Sequence, residues 1–215
     1  MTVPRFITFE GGEGAGKSTH LRRLGEAIRL LGETAVLTRE PGGSEGAEQI
    51  RSLLVGGAAD RWEPMTEALL HYAARSNHVA RTIRPALAAG SWVLSDRFAD
   101  STMAYQGYGQ GLARNWIESL HDIVLGDFRP ALTLVLDLPV NEGLIRARMR
   151  GGVAGEDRYE RMGLEFHERL RAGFLDIAVR EPARCVIVDA SRPVENVATA
   201  IRTAVRERLG LRLPE

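Results

Sequence analysis

Short runs of apolar and β-branched residues alternate along the chain with longer stretches whose apolar positions recur at helical spacing. This alternation is typical of βαβ units, in which helices cover both faces of a parallel sheet. The sequence therefore predicts an α/β fold with five strands, at residues 5–10, 34–38, 92–95, 132–137 and 184–188.

Two helices are marked by their ends. Apolar positions recur at helical spacing over residues 17–31, and Gly32 is expected to end this first helix. A longer helical pattern covers residues 64–89. Pro85 lies within it and lacks the backbone N–H that a helix needs, so we expect a kink or an early end there.

Two further helices are indicated in the second half of the chain. Asn141 is expected to cap a helix that reaches Arg150, and Pro193 is expected to open the final helix. The chain carries no internal repeat, low-complexity tract or long linker. We therefore expect residues 1–215 to form a single domain, a length that suits one α/β core.

Composition and charge exclude several classes of protein. The chain has 28 basic and 28 acidic residues, so its formal net charge is zero and no global field attracts nucleic acid or an anionic membrane. Its one cysteine, Cys185, can form no intramolecular disulfide and is expected to be a buried apolar residue. No apolar run approaches the ~20 residues that span a bilayer, and no signal peptide precedes the first strand, so we expect a cytoplasmic location.

The clearest chemical signal is a glycine-rich loop between the first predicted strand and helix. It matches the pattern G-x-x-x-x-G-K-[ST] and comprises Gly11, Gly12, Glu13, Gly14, Ala15, Gly16, Lys17 and Ser18, followed by Thr19. Small residues let successive backbone N–H groups point at one anion, and the following helix directs its N-terminal dipole there. Lys17, the only lysine of the chain, is expected to reach the β- and γ-phosphates of ATP, and the Ser18 hydroxyl to bind Mg²⁺. The loop predicts an enzyme that transfers phosphoryl groups from ATP.

The loop leaves the acceptor open, because shikimate-type kinases, nucleotide kinases and motor ATPases share it. GTPase switches share it too, but their guanine-reading N-K-x-D motif needs a second lysine, which this chain lacks. The glycine-rich stretch 151–157 can be an exposed connection between helices or a lid that excludes water from the reaction. We expect a lid, at about residues 148–160.

Asp96 and Arg97 follow the third predicted strand. Ligands collect at the carboxyl ends of the strands in an open parallel sheet, so both side chains are expected to face the crevice that holds the phosphate loop. There, Asp96 can hold a water on Mg²⁺ and Arg97 can neutralise an incoming phosphate. We expect both residues to be catalytic.

Several short segments, in this order and spacing, resemble the thymidylate (dTMP) kinase family over about residues 6–205. They are Thr38-Arg39-Glu40-Pro41-Gly42-Gly43, Tyr72-Ala73-Ala74-Arg75, Asp96-Arg97-Phe98, Tyr105-Gln106-Gly107, Leu125-Gly126-Asp127-Phe128-Arg129-Pro130 and Asp157-Arg158-Tyr159-Glu160. The resemblance implies a P-loop nucleoside monophosphate kinase fold with strand order 2-3-1-4-5. It also implies transfer of the γ-phosphoryl group of ATP to dTMP with Mg²⁺, usually in a homodimer.

The resemblance also implies roles for individual residues on the acceptor side. Glu13 matches the acidic position that meets the 3′-hydroxyl of the deoxyribose, and a carboxylate suits a hydroxyl donor. Arg75 matches the position that donates to a thymine carbonyl. Arg97 is expected to bind the dTMP phosphate with Arg39 and Arg51, although Arg51 can equally have a structural role on its helix. Ser101, Thr102, Tyr105 and Gln106 match the segment under the base and sugar.

Two features of the chain bear on this resemblance. Family members commonly place phenylalanine before Tyr-Ala-Ala-Arg, where its ring stacks on thymine, and this chain has His71, which can stack over less area. Some members carry a catalytic arginine in the phosphate loop, where this chain has Gly14 and Ala15. The family's alternative is an arginine in the lid. We expect Arg158 to be catalytic, with Arg148 and Arg150 as alternatives.

Two other functions remain open at this stage. The chain can be a kinase for another acceptor, such as a deoxynucleoside, CMP or shikimate. It can also be a P-loop regulator that uses ATP as a conformational signal, although such a protein needs no arginine-rich acceptor side. A nucleic-acid machine is disfavoured by the neutral charge and by the lack of a basic, aromatic-rich surface.

Overall fold

The structure of the protein, a computed structural model, describes residues 5–150 and 158–214, and of Arg150 only the backbone. Five parallel strands form one sheet in the order β2-β3-β1-β4-β5. The strands are β1 (Phe6–Glu10), β2 (Ala35–Arg39), β3 (Trp92–Asp96), β4 (Leu132–Asp137) and β5 (Cys185–Asp189). The predicted fold class and strand order are confirmed, and each predicted strand end is correct to within one residue.

Helices cover both faces of this sheet. In the described part of the chain they are α1 (Lys17–Leu30), α2 (Glu45–Val55), α3 (Pro64–His78), α4 (Arg84–Ala88), α5 (Ala99–Thr102), α6 (Arg114–Leu125), α7 (Val140–Arg150), α8 (Leu164–Arg180) and α9 (Val194–Leu209). Two π-helical segments, Val79–Ile83 and Met103–Gly109, continue α3 and α5. No helix in residues 5–150 or 158–214 is both long and apolar enough to cross a membrane.

Successive side chains of the central strands enter two different cores, because strand side chains alternate between the faces of a sheet. In β1, Ile7 and Phe9 pack towards α1 and α9, whereas Phe6 packs towards α3, α6 and α8. β4 shows the same alternation, with Leu134 in the first core and Val135 in the second. These strands are apolar almost throughout because both of their faces are covered.

The long helical pattern is interrupted close to Pro85, as expected. α3 ends at His78 and the next turn is a π-helical segment, in which the Arg84 N–H donates to the carbonyl of Val79, five residues earlier. Pro85 then lies at the start of α4. In an α-helix, a proline ring clashes with the carbonyl four residues before it and cannot donate a hydrogen bond to it. The wider π-helical turn accommodates both effects.

The helix ends agree with the sequence in two cases and differ in one. α1 ends at Leu30, and Gly32 follows with a φ of 79°, as the predicted stop requires. Pro193 directly precedes α9. The prediction for Asn141 was wrong, because α7 already begins at Val140 and Asn141 therefore lies in its first turn. The predicted lid falls mostly on residues 151–157, outside the described residues.

The topology brings three connections to the same edge of the sheet. The phosphate loop follows β1, the segment containing Glu40 and Pro41 follows β2, and Arg97 follows β3. The Glu40–Pro41 peptide bond is cis. Because β1 and β2 both flank β3, these connections surround one crevice at the carboxyl ends of the strands.

Candidate active site

The phosphate loop has a backbone that only small residues permit. Gly14 and Gly16 have φ values of 69° and 85°, in the left-handed region that glycine occupies without strain. A Cβ on Gly14 would also overlap the carbonyl oxygen of Gly143, at the start of α7. The conformation of the loop and its packing against α7 therefore both exclude a larger side chain at Gly14.

The ammonium of Lys17 lies over this loop. Its Nζ donates to the carbonyls of Gly11, at 3.2 Å, and Gly12, at 2.7 Å, and the side chain is almost buried. Burial and the positive charge of Arg97 lower the pKa of Lys17 to about 8, although Glu13 and neighbouring carboxylates oppose the shift. A phosphate bound in the loop would supply the negative charge that this ammonium needs.

Ser18 and Asp96 bring two oxygen ligands together beside the loop. The Ser18 hydroxyl donates to Asp96 Oδ2 at 2.5 Å, across the gap between α1 and β3. Hydroxyl and carboxylate oxygens suit a hard cation such as Mg²⁺, which normally keeps several waters and substrate oxygens. Among the described residues, no group of three or more His, Cys, Asp or Glu side chains could hold a metal by itself. A cation at this site would therefore share its ligands with phosphates and water.

Arg97 connects the phosphate loop to the acceptor side. Its φ of 72° is left-handed, which is strained for a residue with a side chain. In this conformation its guanidinium donates to the carbonyl of Gly11 at 3.0 Å, to Glu13 Oε1 at 3.0 Å and to Ser101 Oγ at 3.2 Å. It also lies 4.9 Å from the centre of the Tyr105 ring. The strained backbone directs the Arg97 guanidinium towards the phosphate loop.

Two carboxylates, the buried Glu10 and the partly buried Glu13, fix this part of the site. Glu10, at the end of β1, accepts hydrogen bonds from the backbone N–H of Phe98 at 2.7 Å and from Ser101 Oγ at 2.5 Å. Burial and the nearby Asp100 raise the pKa of Glu10. Burial alone would also raise the pKa of Glu13, but Arg97, Lys17 and a hydrogen bond from Tyr105 lower it to about 2. Glu13 is therefore ionised at neutral pH.

These groups surround a cavity of about 430 Å³ at the carboxyl ends of β1, β2 and β3. Most of the residues singled out in the sequence line it: Glu13, Gly14, Ala15, Gly16, Lys17, Ser18, Thr19, Arg39, Arg51, His71, Arg75, Asp96, Arg97, Ser101, Tyr105 and Gln106. Gly11 and Gly12 instead line a smaller neighbouring cavity beside β4. The phosphate loop and the arginines of the acceptor side thus share one space.

Arg75 is held at the floor of this cavity by contacts on two of its three nitrogens. Its Nε donates to Glu40 at 2.7 Å, and its Nη2 donates to the Phe98 carbonyl and to Thr102 Oγ1, both at 3.0 Å. Its Nη1 has no partner in the described part of the chain, although the side chain is only 1% exposed. Thr102 does not line the cavity and instead contacts Arg75.

Comparison with known proteins identifies the family. The model of the family described as thymidylate kinase matches residues 9–201, which is most of the chain. The chain belongs to the thymidylate kinase family. It is therefore an enzyme of the nucleoside monophosphate kinase class, a group of transferases that use ATP and a metal ion.

Individual thymidylate kinases are similar to this chain over almost their whole length. The chain is 58% identical to thymidylate kinase of Caulobacter vibrioides over 98% of its own residues and 100% of that protein. It is 52% identical to thymidylate kinase of Dinoroseobacter shibae, over 94% of its residues and 96% of the relative. The crystal structure of thymidylate kinase from Ehrlichia chaffeensis matches with a TM-score of 0.74 and 35% identity, over 94% of this chain and 97% of that one.

The structure corrects the expectation for Arg158. Its side chain is fully buried and does not line the cavity. The guanidinium donates to Glu67 Oε2 at 2.5 Å and to the carbonyls of Leu54, Ala58 and Ala59 at 3.0 to 3.2 Å. These contacts tie the segment after residue 157 to the end of α2 and to α3. Of the residues considered in the sequence for the catalytic arginine, Arg148 and Arg150 remain as alternatives.

Sequence reasoning missed three buried acidic groups of the site, Glu10, Glu40 and Glu67, and also Tyr159, which lines the cavity. A signal for Glu67 was available. The inner face of α3 carries polar residues at helical spacing where apolar ones are expected: Glu67, Arg75 and His78, which are buried, and His71, which is partly buried. Polar side chains on a buried face need partners, so such a stripe indicates a binding site or a buried network.

The ionisation of Glu13 should make part of the stability pH-dependent. Its pKa of about 2 in the folded state lies below the usual 4.5, so its charge stabilises the fold above pH 4.5, and this contribution is lost as the pH falls through 2. We expect Glu13→Gln to lower the free energy of unfolding by about 3 kcal/mol at pH 7 and by far less near pH 2. Urea titrations across this range measure the difference. Glu26→Gln, on the exposed face of α1, should change little, and a pH-independent loss in Glu13→Gln would contradict this account.

Proposed function

We propose that the chain transfers the γ-phosphoryl group of ATP to dTMP and forms dTDP, as a step towards dTTP. The observation that carries the proposal is the shared cavity, in which the phosphate loop and an arginine-rich acceptor side meet at the Arg97–Glu13 ion pair. The names of its relatives support dTMP as the acceptor. Because both sides line one cavity, donor and acceptor phosphates can meet there.

The chemistry needs positioning and positive charge rather than a general base. The attacking oxygen belongs to a phosphate that is already ionised at neutral pH. Lys17 is placed to hold the β- and γ-phosphates, and Arg97 the acceptor phosphate, with Arg39 and Arg51 on the same cavity wall. Because Arg97 is held by Glu13, the two phosphate groups are brought together without a rearrangement of this arginine. Charge stabilisation in a preorganised site of this kind accounts for most catalysis of phosphoryl transfer.

We propose Mg²⁺ as the metal, held by Ser18 and, through a water, by Asp96. The two side chains lie within hydrogen-bonding distance of each other next to the phosphate loop. When bound, Mg²⁺ supplies positive charge to the β- and γ-phosphate oxygens. Asp96 also contributes to the negative charge that supports protonated Lys17.

The acceptor nucleoside fits the remaining groups of the cavity. Glu13 is ionised and can accept a hydrogen bond from the 3′-hydroxyl of the sugar. Tyr105 packs against Arg97 and donates to Glu13. Its ring would then lie beside the sugar and oppose the 2′-hydroxyl of a ribose. The unpaired Nη1 of Arg75 can donate to a thymine carbonyl. His71, at the cavity wall, is the residue that would face the base.

The acceptor can be identified by one assay. Release of ADP is measured with dTMP, dUMP, dCMP, CMP, AMP, shikimate and thymidine as acceptors. We expect the highest kcat/KM with dTMP and little ADP release without an acceptor. Strong preference for another acceptor would overturn the assignment of dTMP as the substrate. Slow ATP loss that no acceptor accelerates would favour a P-loop regulator. Because its substrates belong to the nucleotide pool, we propose that the enzyme works in the cytoplasm.

We propose Arg148 as the arginine that stabilises the transferring phosphoryl group. The start of α7 packs on the phosphate loop through Gly143. Arg148 is exposed in the same helix, five residues after Gly143, which is an axial rise of about 7.5 Å. It lies at the edge of the segment that we propose as a lid, at about residues 148–160 of a single kinase domain.

Loss of Arg148 should affect turnover more than binding. We expect Arg148→Ala to lower kcat by about 10³, because this class of arginine acts on charge that develops in the transition state. The KM for dTMP should stay within about threefold of the wild-type value. Steady-state kinetics measure both constants, and Arg206→Ala, an exposed arginine of α9, serves as the control. Equal changes in kcat and KM, or none, would remove Arg148 from this role.

We propose a homodimer formed through the layer of α2, α3 and α6. The exposed large apolar side chains of this layer include Leu53 of α2, Leu69 of α3 and Trp116 of α6. Ala73 continues the exposed stripe of α3 one turn beyond Leu69, which leaves a flat surface for a partner helix. Exposed apolar patches of this kind mark interfaces between subunits.

A charge in this layer should separate the subunits. We expect analytical ultracentrifugation to show a dimer for the wild-type protein and a monomer for Leu69→Glu, because a carboxylate cannot be buried unpaired in an apolar interface. Val179→Glu, at an exposed apolar position of α8, is the matched control and should stay dimeric. A monomeric wild-type protein, or a dimer that survives Leu69→Glu, would contradict this interface.

A further inference from the structure

Glu67 is a fully buried carboxylate that accepts hydrogen bonds from four side chains. Arg158 donates to it at 2.5 Å, Gln106 at 2.6 Å, Tyr159 at 2.7 Å and Gln110 at 3.2 Å. The positive charge of Arg158 compensates the negative charge of Glu67 in the interior. No part of the phosphoryl transfer described above requires this carboxylate, so its function lies elsewhere.

An ionised carboxylate can only accept hydrogen bonds, and this fixes the orientation of the Gln106 amide. Gln106 must direct its NH₂ group to Glu67, because the reverse orientation would place two oxygens against each other. Its carbonyl oxygen, Oε1, is then the free end of the amide. Gln106 lines the acceptor cavity, its side chain is fully buried, and Oε1 has no partner within residues 5–150 and 158–214. Gln106, a residue of the cavity lining, therefore carries an unpaired hydrogen-bond acceptor.

The same carboxylate fixes a second side chain through Tyr159. The Tyr159 hydroxyl donates its single hydrogen to Glu67, so its oxygen must accept the hydrogen bond that joins it to His71 Nε2 at 3.0 Å. Burial and the nearby Arg75 and Arg158 lower the pKa of His71 to about 3, so its ring is neutral. The hydrogen therefore lies on Nε2, and Nδ1 carries a lone pair.

The wall of the cavity thus has a defined polarity. Among the residues that line it, Gln106 and His71 carry acceptors, and Arg75, held by Glu40, carries a donor at Nη1 that has no partner in the described part of the chain. Thymine and uracil carry a carbonyl next to a ring N–H, which complements a donor beside an acceptor. Cytosine carries an amino group next to a ring nitrogen without hydrogen, which is the opposite pattern. A site built for one pattern rejects the other because buried polar groups would be left unpaired.

We propose that Glu67 is the positioning residue that makes the acceptor site select a thymine-type base over a cytosine-type base, by holding Gln106 in one amide orientation and His71 in one tautomer. The inference rests on the proposed function, with dTMP as acceptor, and adds the group that determines the base. Glu67 itself does not line the cavity, so it acts through its neighbours.

A pair of substrates isolates this effect. 5-Methyl-dCMP has the sugar, phosphate and ring methyl group of dTMP and differs only in the polar edge of the base. The measured quantity is the ratio of kcat/KM for dTMP to kcat/KM for 5-methyl-dCMP. The first variant combines Glu67→Gln with Arg158→Met, which removes both charges together and leaves no lone buried charge. We expect this ratio to fall at least about tenfold, because the Gln106 amide can then turn its NH₂ group to the base.

Two further variants separate positioning from support of the fold. Glu67→Asp keeps the charge beside Arg158 but shortens the side chain by one methylene, so Gln106 is released and the ratio should also fall. Gln110→Ala removes another hydrogen bond from the same carboxylate and should leave the ratio unchanged, since Gln110 does not line the cavity. Thermal denaturation establishes that each variant is folded.

The outcomes are distinct. Equal losses of kcat/KM for both acceptors, with an unchanged ratio in the double variant or in Glu67→Asp, would show that Glu67 only supports the fold and would overturn the proposal. In a Gln106→Leu background, the Glu67 substitutions should have a much smaller effect on the ratio of kcat/KM values. An undiminished effect would also overturn the proposal. If the wild-type enzyme does not prefer dTMP over 5-methyl-dCMP, the proposed function fails first, and that result is visible before any variant is made.

Discussion

The ion pair between Arg97 and Glu13 is the contact on which the arrangement of the site depends. Glu13 belongs to the loop after β1 and Arg97 to the turn after β3, so the pair joins the donor side to the acceptor side across neighbouring strands. Arg97 reaches it only from a left-handed backbone, and Glu10 stabilises the turn that follows by accepting from the Phe98 N–H. A strained residue is tolerated when surrounding contacts determine its conformation.

Buried carboxylates then hold the other functional cations and amides in place. Glu40 binds Arg75 and His78, and Glu67 binds Arg158 and orients Gln106. Replacing a buried ion pair with apolar residues is often neutral or stabilising, so these pairs are poorly explained by stability alone. Their benefit is orientation. Hydrogen-bonded polar networks hold their side chains in one orientation, and a site with a defined hydrogen-bonding pattern requires this.

The sequence was sufficient for the fold and for the position of the phosphate loop between β1 and α1, because both depend on local patterns. Strands and α1 follow from the period of apolar residues, and the phosphate loop from the spacing of glycines before Lys17. Arg158 could not be assigned in this way. Its place in the chain suggested a lid residue, but a guanidinium with Glu67 and three carbonyls within reach is buried, and these partners come from α2, α3 and the connection between them. Glu67 was missed for the same reason, although the polar stripe on α3 was visible in the sequence.

The most direct test of this account is a crystal structure of the protein with dTMP and a non-hydrolysable ATP analogue. The account predicts the dTMP phosphate on Arg97, the 3′-hydroxyl on Glu13, and the base between Arg75 and His71 with its ring N–H facing Gln106 Oε1. The triphosphate should lie in the loop from Gly11 to Ser18. A dTMP molecule bound elsewhere, or one whose phosphate makes no contact with Arg97, would contradict the central claim that this ion pair joins the two halves of the active site.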